Sequence, residues 1–246
     1  MKTLKFTLLL LVTVCFSFVL HEVQWTSISK EDLAKAFEQV GDKYKNSASY
    51  SMNVTHASYE SYTDVKPHQR SKGYFKKEGN NYHSMLLGIH TLQNERCKLI
   101  VDSAKKVILV SDPDKSMQKD PVAINYASLL SIYSALKYAA SGKDKYYRIE
   151  TKQNNPIAAY EYIIDGSGFM KDIVFYYRAV KKEPGASGSE TLSPRLHIEF
   201  SAFAENIKFN YQQEFDENRY IMKKEKKYVL REPYQDYQLL DQRIKK

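Results

Sequence analysis

The sequence has few of the residues that mark disulfide-rich or tightly turned proteins, and this narrows its class. Its 246 residues include two cysteines, one tryptophan, nine glycines and seven prolines. Cys15 lies in the apolar N-terminal run, so Cys97 is left single and no disulfide framework is expected. Because no base partner can be identified for it, Cys97 is interpreted as a buried strand residue and not as a nucleophile.

Catalytic and metal-binding signatures are also missing. A serine hydrolase needs Gly-x-Ser-x-Gly at a strand-to-helix turn, and residues 185–189 (GASGS) lack the last glycine. No glycine-rich loop precedes a helix to hold a phosphate. The nearest histidine groupings, His83 with His90 and His197 with Glu199, do not supply three or four convergent ligands. We therefore expect no metal and no cofactor, and an enzyme is the least favoured class.

Long apolar runs do not occur after the N-terminus. Lys2 and Lys5 precede an apolar run over residues 6–20, which is the order of a secretory signal peptide. The run is short for a membrane span, which needs about 20 apolar residues. We predict a signal peptide over residues 1–20 and an exported, periplasmic protein. Retention of this segment as a short membrane anchor stays open, whereas lipidation of Cys15 is disfavoured because the preceding residue is not small.

Positive charge exceeds negative charge only mildly. The formal net charge is +8, and it falls to +6 (8 − 2) without the two lysines of the signal segment. Basic residues are scattered, and the densest run, residues 223–227 (KKEKK), has an acid at its centre. No nucleic-acid motif accompanies them, so no nucleic-acid partner is expected. A solvated basic face is the simpler interpretation, while contact with an anionic membrane surface stays open.

The apolar periodicity predicts a single β-rich domain over residues 28–246 that begins with a helix. Ser29 is a suitable helix cap, and an acid follows three residues later. The residues that then recur with helical spacing are Leu33, Ala36, Phe37, Val40 and Tyr44. Alternating segments bounded by turn residues predict strands at 50–55, 72–77, 82–87, 98–101, 106–110, 146–151, 158–164, 169–177, 196–201 and 207–211.

A second helix is predicted in the middle of the chain, over residues 121–141. Asp120 is a good cap, Pro121 suits the first helical position, and Gly142 provides a stop. Its polar side carries almost no charge, which suits contact with protein or a cavity. The residues that form its apolar stripe are Leu129, Ile132, Tyr133, Leu136 and Ala140.

Aromatic residues are abundant, with 20 tyrosines and 11 phenylalanines. Core packing and strand propensity account for this excess in the simpler interpretation. The sharper interpretation is an open sheet whose concave apolar face holds a lipid-like ligand under helices.

Three short segments resemble the LolA/LolB-like family of periplasmic lipoprotein carriers. They are residues 73–77 (GYFKK), residues 100–107 (IVDSAKKV) with Asp112-Pro113 after them, and residues 163–169 (IIDGSGF). Proteins of that family begin with a helix after the signal and continue as a strongly curved, incomplete antiparallel barrel, with mid-chain helices that cover its apolar opening. The resemblance implies the same α+β fold here, and a lipid or lipoprotein acyl chain as the partner.

We therefore predict a non-enzymatic envelope protein that binds a lipid or lipoprotein acyl chain in an apolar half-barrel. The alternative is an accessory or scaffold subunit of an envelope complex, with the same fold, a filled core and protein contacts made by the tyrosine-rich surface or tail. The predicted ligand lining comprises Tyr50, Met52, Val54, Phe75, Leu87, Leu99 and Val101 from strands, with Leu129, Ile132, Tyr133 and Leu136 from the second helix.

Overall fold

A computed structural model of the protein describes residues 23–114, 126–181, 191–225 and 227–243. The predicted signal segment and the predicted start of the second helix lie outside these residues. The described chain is mostly β, and one 13-stranded sheet dominates it. No helix of the described chain is long and apolar enough to cross a membrane.

The secondary structure begins with a short strand and a long helix, and strands predominate after that. In chain order the elements are β1 (Thr26–Ser27), α1 (Lys30–Asn46), β2 (Ser49–Tyr59), β3 (Gln69–Glu78), β4 (Asn81–Leu86), β5 (Ile89–Gln93), β6 (Lys98–Asp102), β7 (Val107–Ser111), α2 (Tyr126–Ile132), β8 (Tyr133–Ser141), β9 (Asp144–Thr151), β10 (Ile157–Ile164), β11 (Met170–Tyr177), β12 (Val180–Lys181), β13 (Thr191–Leu192), β14 (Arg195–Glu205), α3 (Tyr211–Glu214), a 3-10 turn (Glu217–Arg219), β15 (Ile221–Lys224), β16 (Lys227–Leu230) and β17 (Gln238–Asp241).

The large sheet is open and mixed. Its strand order is β1-β8-β9-β10-β11-β14-β2-β3-β4-β5-β6-β7-β17. Neighbouring strands run antiparallel except β7 and β17, which run parallel. The predicted antiparallel sheet is therefore wrong at this edge, because the C-terminal part of the chain returns alongside β7. The two small pairs, β12 with β13 and β15 with β16, lie outside the large sheet.

Helix α1 confirms the prediction made from its capping residue and apolar stripe. The hydroxyl of Ser29 accepts a hydrogen bond from the backbone N–H of Asp32 at 3.0 Å, which satisfies one of the free donors of the first turn. Lys43 and Lys45 lie in the last turn, where positive charge favours the helix dipole. All five predicted stripe residues are buried, and full burial of each large one contributes about 1.5–3 kcal/mol.

The first core lies between α1 and one face of the sheet, which we call the inner face. Phe37 contacts Tyr162 with ring centroids 4.9 Å apart, and Tyr44 contacts Tyr50 at 5.4 Å. From Tyr50 the stack continues through Phe75 to the next strand, with centroid spacings of 5.9 Å. Strands from β8 to β4 therefore share one apolar cluster with the helix.

A second core lies on the opposite face of the sheet, which we call the outer face. Leu99 and Val101 point to this face with Ile108 and Val110, because alternate residues of a strand share a face. Tyr220, Ile221 and neighbouring residues near the C-terminus cover them. Cys97 is fully buried in this core, and burial raises the pKa of its thiol to about 12, so the thiol is held in its unreactive form.

The predicted second helix is wrong over most of its described length. The structure has helix only over Tyr126–Ile132, and the chain enters strand β8 at once. The spacing of the apolar residues fits a helical period, but residues 133–141 pair with β9 along their whole length, which satisfies the backbone in an extended form. Gly142, expected to end a helix, has φ 60° and forms the hairpin turn that joins β8 to β9.

The predicted last strand over residues 207–211 is also wrong. Residues 207–210 are irregular, and the short helix α3 begins at Tyr211 after the cap Asn210. The side chain of Asn210 accepts a hydrogen bond from the backbone N–H of Gln212 at 3.1 Å, and this local bond favours a helix start over a strand.

Candidate functional site

The candidate site is an apolar area of the inner face that α1 does not fully cover. Its side chains are half-buried, except Ile89, which is 39% exposed. They come from β11, β14 and β4 to β7, and we call them the inner strip: Phe175, Ile198, Phe200, Leu86, Ile89, Ile100 and Leu109.

The register of the sheet places the inner strip on one face, interrupted at β5 and β6 by Thr91 opposite Ile100 and by Asp102 opposite Ile89. Phe200 of β14 lies opposite Val54 of β2, and Val54 lies opposite Gly73 of β3. Further along the sheet, Leu86 lies opposite Ile89, and Ile100 lies opposite Leu109. Since directly opposed residues share a face, these side chains form neighbouring columns of one surface.

Gly73 allows β3 to lie close to β4. A Cβ atom at this position would lie 2.0 Å from the carbonyl oxygen of Met85 and 3.3 Å from the side chain of Leu86. Any larger residue would therefore push the β4 backbone away.

A strained turn borders the inner strip. Leu87 and Gly88 join β4 to β5 and have φ values of 51° and 80°, which is the geometry of a type I′ hairpin. A left-handed conformation costs a residue such as leucine about 1–2 kcal/mol. The Leu87 side chain is 64% exposed, so it lies in the turn at the end of β4 and not in the lining to which the sequence assigned it.

The structure brings most of the predicted lining residues together but separates three of them. Leu99 and Val101 lie in the outer core, and Leu87 lies in the exposed turn. Tyr133 and Leu136 reach the inner face from strand β8, so their predicted place on a helix is wrong. The residues of the prediction that share the first core are Tyr50, Met52, Val54, Phe75, Leu129 and Leu136, which are buried, and Ile132 and Tyr133, which are partly buried.

A polar network on the outer face holds the C-terminal part of the chain against the sheet. Lys76 donates a hydrogen bond to Glu214 at 2.7 Å, and the Nδ1 atom of His83 lies 3.6 Å from the same carboxylate. Tyr74 and the Nε2 atom of His83 are hydrogen-bonded at 3.0 Å. His83 is 1% exposed; burial, reinforced by the nearby Arg219, lowers its pKa to about 4, so the ring is neutral at pH 7.

A second set of contacts holds the neighbouring turn. Glu217 is buried and accepts hydrogen bonds from Asn94 and Arg96, both at 2.6 Å. Asn94 also donates to the backbone carbonyl of Phe215 at 3.0 Å. These contacts fix the chain at the point where it begins to cover the outer core.

The histidines do not gather around a common point. His83 and His90 stack with ring centroids 6.1 Å apart, and His197 is paired with Asp172 at 2.6 Å. Among the described residues, no group of three or more histidines, cysteines and acids is placed to hold a metal ion.

Sequence reasoning missed the inner strip itself. Ile198 and Phe200 do alternate with polar residues, and that signal predicted their strand. The neighbours of this strand, β14, cannot be inferred from the local sequence, because β14 pairs with β2 from a distant part of the chain.

Comparisons with known proteins find likeness only at the level of structure. No family model matches the sequence, and no curated protein matches it. An uncharacterized conserved protein from Thermus thermophilus matches with a TM-score of 0.43 and 10% identity, over 86% of this chain and 99% of that one. A LolA superfamily protein from Nitrosomonas europaea matches with a TM-score of 0.31 and 10% identity, over 75% and 98%. A DUF1329 family protein from Desulfovibrio piger matches with a TM-score of 0.31 and 9% identity, over 76% and 98%.

The second of these matches is to the superfamily that the sequence segments resemble, and at a TM-score of 0.31 that resemblance stays a prediction. At this identity the likeness concerns the fold alone.

Proposed function

We propose that this protein is a non-enzymatic, exported envelope protein that binds the acyl chain of a lipid or lipoprotein on the inner strip. The observation that supports the proposal is a run of half-exposed apolar side chains along one face of an open sheet. Water contacts these side chains in the free protein, so covering them with an acyl chain is favourable by about 25 cal/mol per Å².

The dimensions of the strip suit such a ligand. Its residues lie on six of the eight neighbouring strands from β11 to β7, which at a spacing of ~4.8 Å span about 34 Å. One leaflet of a bilayer is about 15 Å of hydrocarbon, half of the ~30 Å core. This span is therefore long enough for an acyl chain, and each buried methylene contributes about 0.8 kcal/mol.

The scaffold alternative has an observation in its favour as well. The part of the inner face under α1 is filled: Tyr44 and Tyr50 are fully buried, and Tyr44 contacts Phe169 with ring centroids 5.2 Å apart. A ligand enters that part only if α1 moves. If the half-exposed strip is a contact for another envelope protein, the protein will purify without lipid.

Binding to the inner strip is tested with a charge placed in it. We expect Ile198→Lys to reduce binding of palmitic acid at least tenfold, because a bound chain would then have to desolvate an ammonium group. Displacement of the neutral fluorophore N-phenyl-1-naphthylamine measures the affinity. The matched control is Val65→Lys, at a loop position that is 88% exposed and outside the strip.

Native mass spectrometry of the purified protein adds an independent readout. Co-purified lipid in the wild type, reduced in Ile198→Lys, agrees with the proposal. A lipid-free wild type that takes up neither fluorophore nor palmitic acid contradicts it and leaves the scaffold function.

A further inference from the structure

The centre of the inner strip carries a histidine. His56 follows Val54 at the next inner position of β2 and is half-buried. It lies opposite Ile198 of β14 on one side and opposite Ser71 of β3 on the other. The imidazole is therefore placed among the side chains to which we assign acyl binding.

His56 has no internal partner among the described residues. No hydrogen bond or ion pair of the described chain reaches its ring. The inner positions around it carry apolar or small side chains, among them Ile198 and Ser71. Burial lowers the pKa of His56, so the ring is neutral at pH 7 and presents one N–H donor and one acceptor nitrogen. Water can satisfy these atoms only while the strip is empty.

The neighbour of His56 on β3 provides a second polar group. Ser71 places a hydroxyl at the directly opposed position. A ligand that covers this spot displaces water from both polar groups. It loses affinity unless it brings an acceptor of its own, because an unsatisfied polar group is costly to bury.

We propose that His56, with Ser71, hydrogen-bonds the carbonyl oxygen at the polar end of a bound acyl chain. The inference rests on the proposed function and narrows it: the ligand is an acyl compound with an oxygen-bearing head, and not a plain hydrocarbon. A free fatty acid and an acyl ester share this chemistry, and the competitors in the test distinguish them.

The test uses three competitors of equal chain length against N-phenyl-1-naphthylamine: lauric acid, methyl laurate and dodecane, each delivered from cyclodextrin. In the wild type we expect the oxygen-bearing competitors to bind more tightly than dodecane. In His56→Phe their affinity falls roughly five- to tenfold, the effect of one lost hydrogen bond, and that of dodecane changes less than twofold. The control is His68→Phe, an exposed histidine next to Glu60, which leaves all three unchanged.

The outcomes separate the two proposals. A loss confined to lauric acid assigns a free carboxylic acid, and a loss shared by methyl laurate assigns an acyl ester; both support the inference. If the fluorophore and dodecane bind but His56→Phe keeps the wild-type preference, the inference is overturned and the proposed function stands. If nothing binds to the wild type, both fall.

A second variant and a direct measurement guard against misfolding of His56→Phe. Ser71→Ala is expected to shift the same preference in the same direction by a smaller factor. In the wild type, the ring nitrogen resonances of His56 should move on addition of lauric acid and stay in place with dodecane. Unmoved resonances at saturating lauric acid contradict the inference.

Discussion

His83 links the titration behaviour of the protein to the attachment of its C-terminal part. The ring is buried between Tyr74 and the carboxylate of Glu214, on the outer face of the sheet. Although burial alone would raise it, the pKa of Glu214 is lowered, because Lys76 and His83 both stabilise the carboxylate. A neutral histidine and a charged glutamate are therefore the forms that the folded protein prefers.

From these shifts we predict acid destabilisation that depends on His83. The unfolded chain takes up a proton near the ordinary histidine pKa of about 6.5, whereas the folded chain resists it until about pH 4. Stability therefore falls as the pH drops through this window, by up to about 3 kcal/mol. Glu214 adds to the loss at the acid end, because its lowered pKa stabilises the fold only above its ordinary value.

Urea unfolding at pH 7.0 and pH 4.5 measures this effect. The wild type should lose more stability between the two pH values than His83→Gln, by about 1 kcal/mol or more. His68→Gln, at an exposed histidine, serves as the control and should behave as the wild type. Equal losses in the wild type and in His83→Gln would show that His83 does not resist protonation in the fold.

At the scale of elements, the β4–β5 hairpin is built around an unfavourable turn residue. Leu87 has a left-handed backbone with φ 51° and a largely exposed side chain. Asparagine followed by glycine is the preferred pair for this turn type, and Gly88 is already in place.

We therefore predict that Leu87→Asn stabilises the protein by about 1 kcal/mol, through relief of the left-handed strain. Thermal unfolding followed by circular dichroism measures the change. The control is Val65→Asn, which exchanges an exposed apolar residue for the same amide without a change in backbone strain. A lower melting temperature for Leu87→Asn would mean that the leucine makes a stabilising contact after all.

Elements with complete local signals were predictable from sequence, and those defined by distant partners were not. Ser29 and the apolar stripe after it specify α1 without reference to the rest of the chain. Strand β8 carried spacing that fits a helix, and only its pairing with β9 decides the outcome. Strand β5 was missed because the turn before it has leucine where a turn signal was expected.

The local sequence also did not predict which face of the sheet each site residue would occupy. The β6–β7 hairpin is apolar on both faces, so its sequence does not tell which side faces α1. Leu99 and Val101 were assigned to the ligand lining, but the C-terminal part of the chain covers them on the outer face. Ile100 and Leu109, on the other side of the same hairpin, belong to the inner strip.

At the scale of the whole molecule, one sheet supports two cores on opposite faces. Helix α1 packs on the buried part of the inner face from β8 to β4, where the strip residues of β11, β14 and β4 remain half-exposed. The chain after α3 covers the outer face from β5 to β7. The inner face of β5 to β7 is consequently backed by a packed core but only half-covered itself. This offset leaves the apolar side chains of Ile89, Ile100 and Leu109 at least partly exposed on a rigid support, which is what the proposed acyl binding requires.

Acyl binding on the inner strip is tested by photo-crosslinking with a diazirine-bearing palmitic acid, followed by peptide mapping. We expect labelling of peptides from β11, β14 and β4 that carry Phe175, Ile198 and Leu86, with competition by unlabelled palmitic acid. We expect no competed labelling of the peptide from β16, whose strand lies outside the large sheet. Labelling that is absent, or that is confined to the C-terminal part on the outer face, would contradict acyl binding on the inner strip.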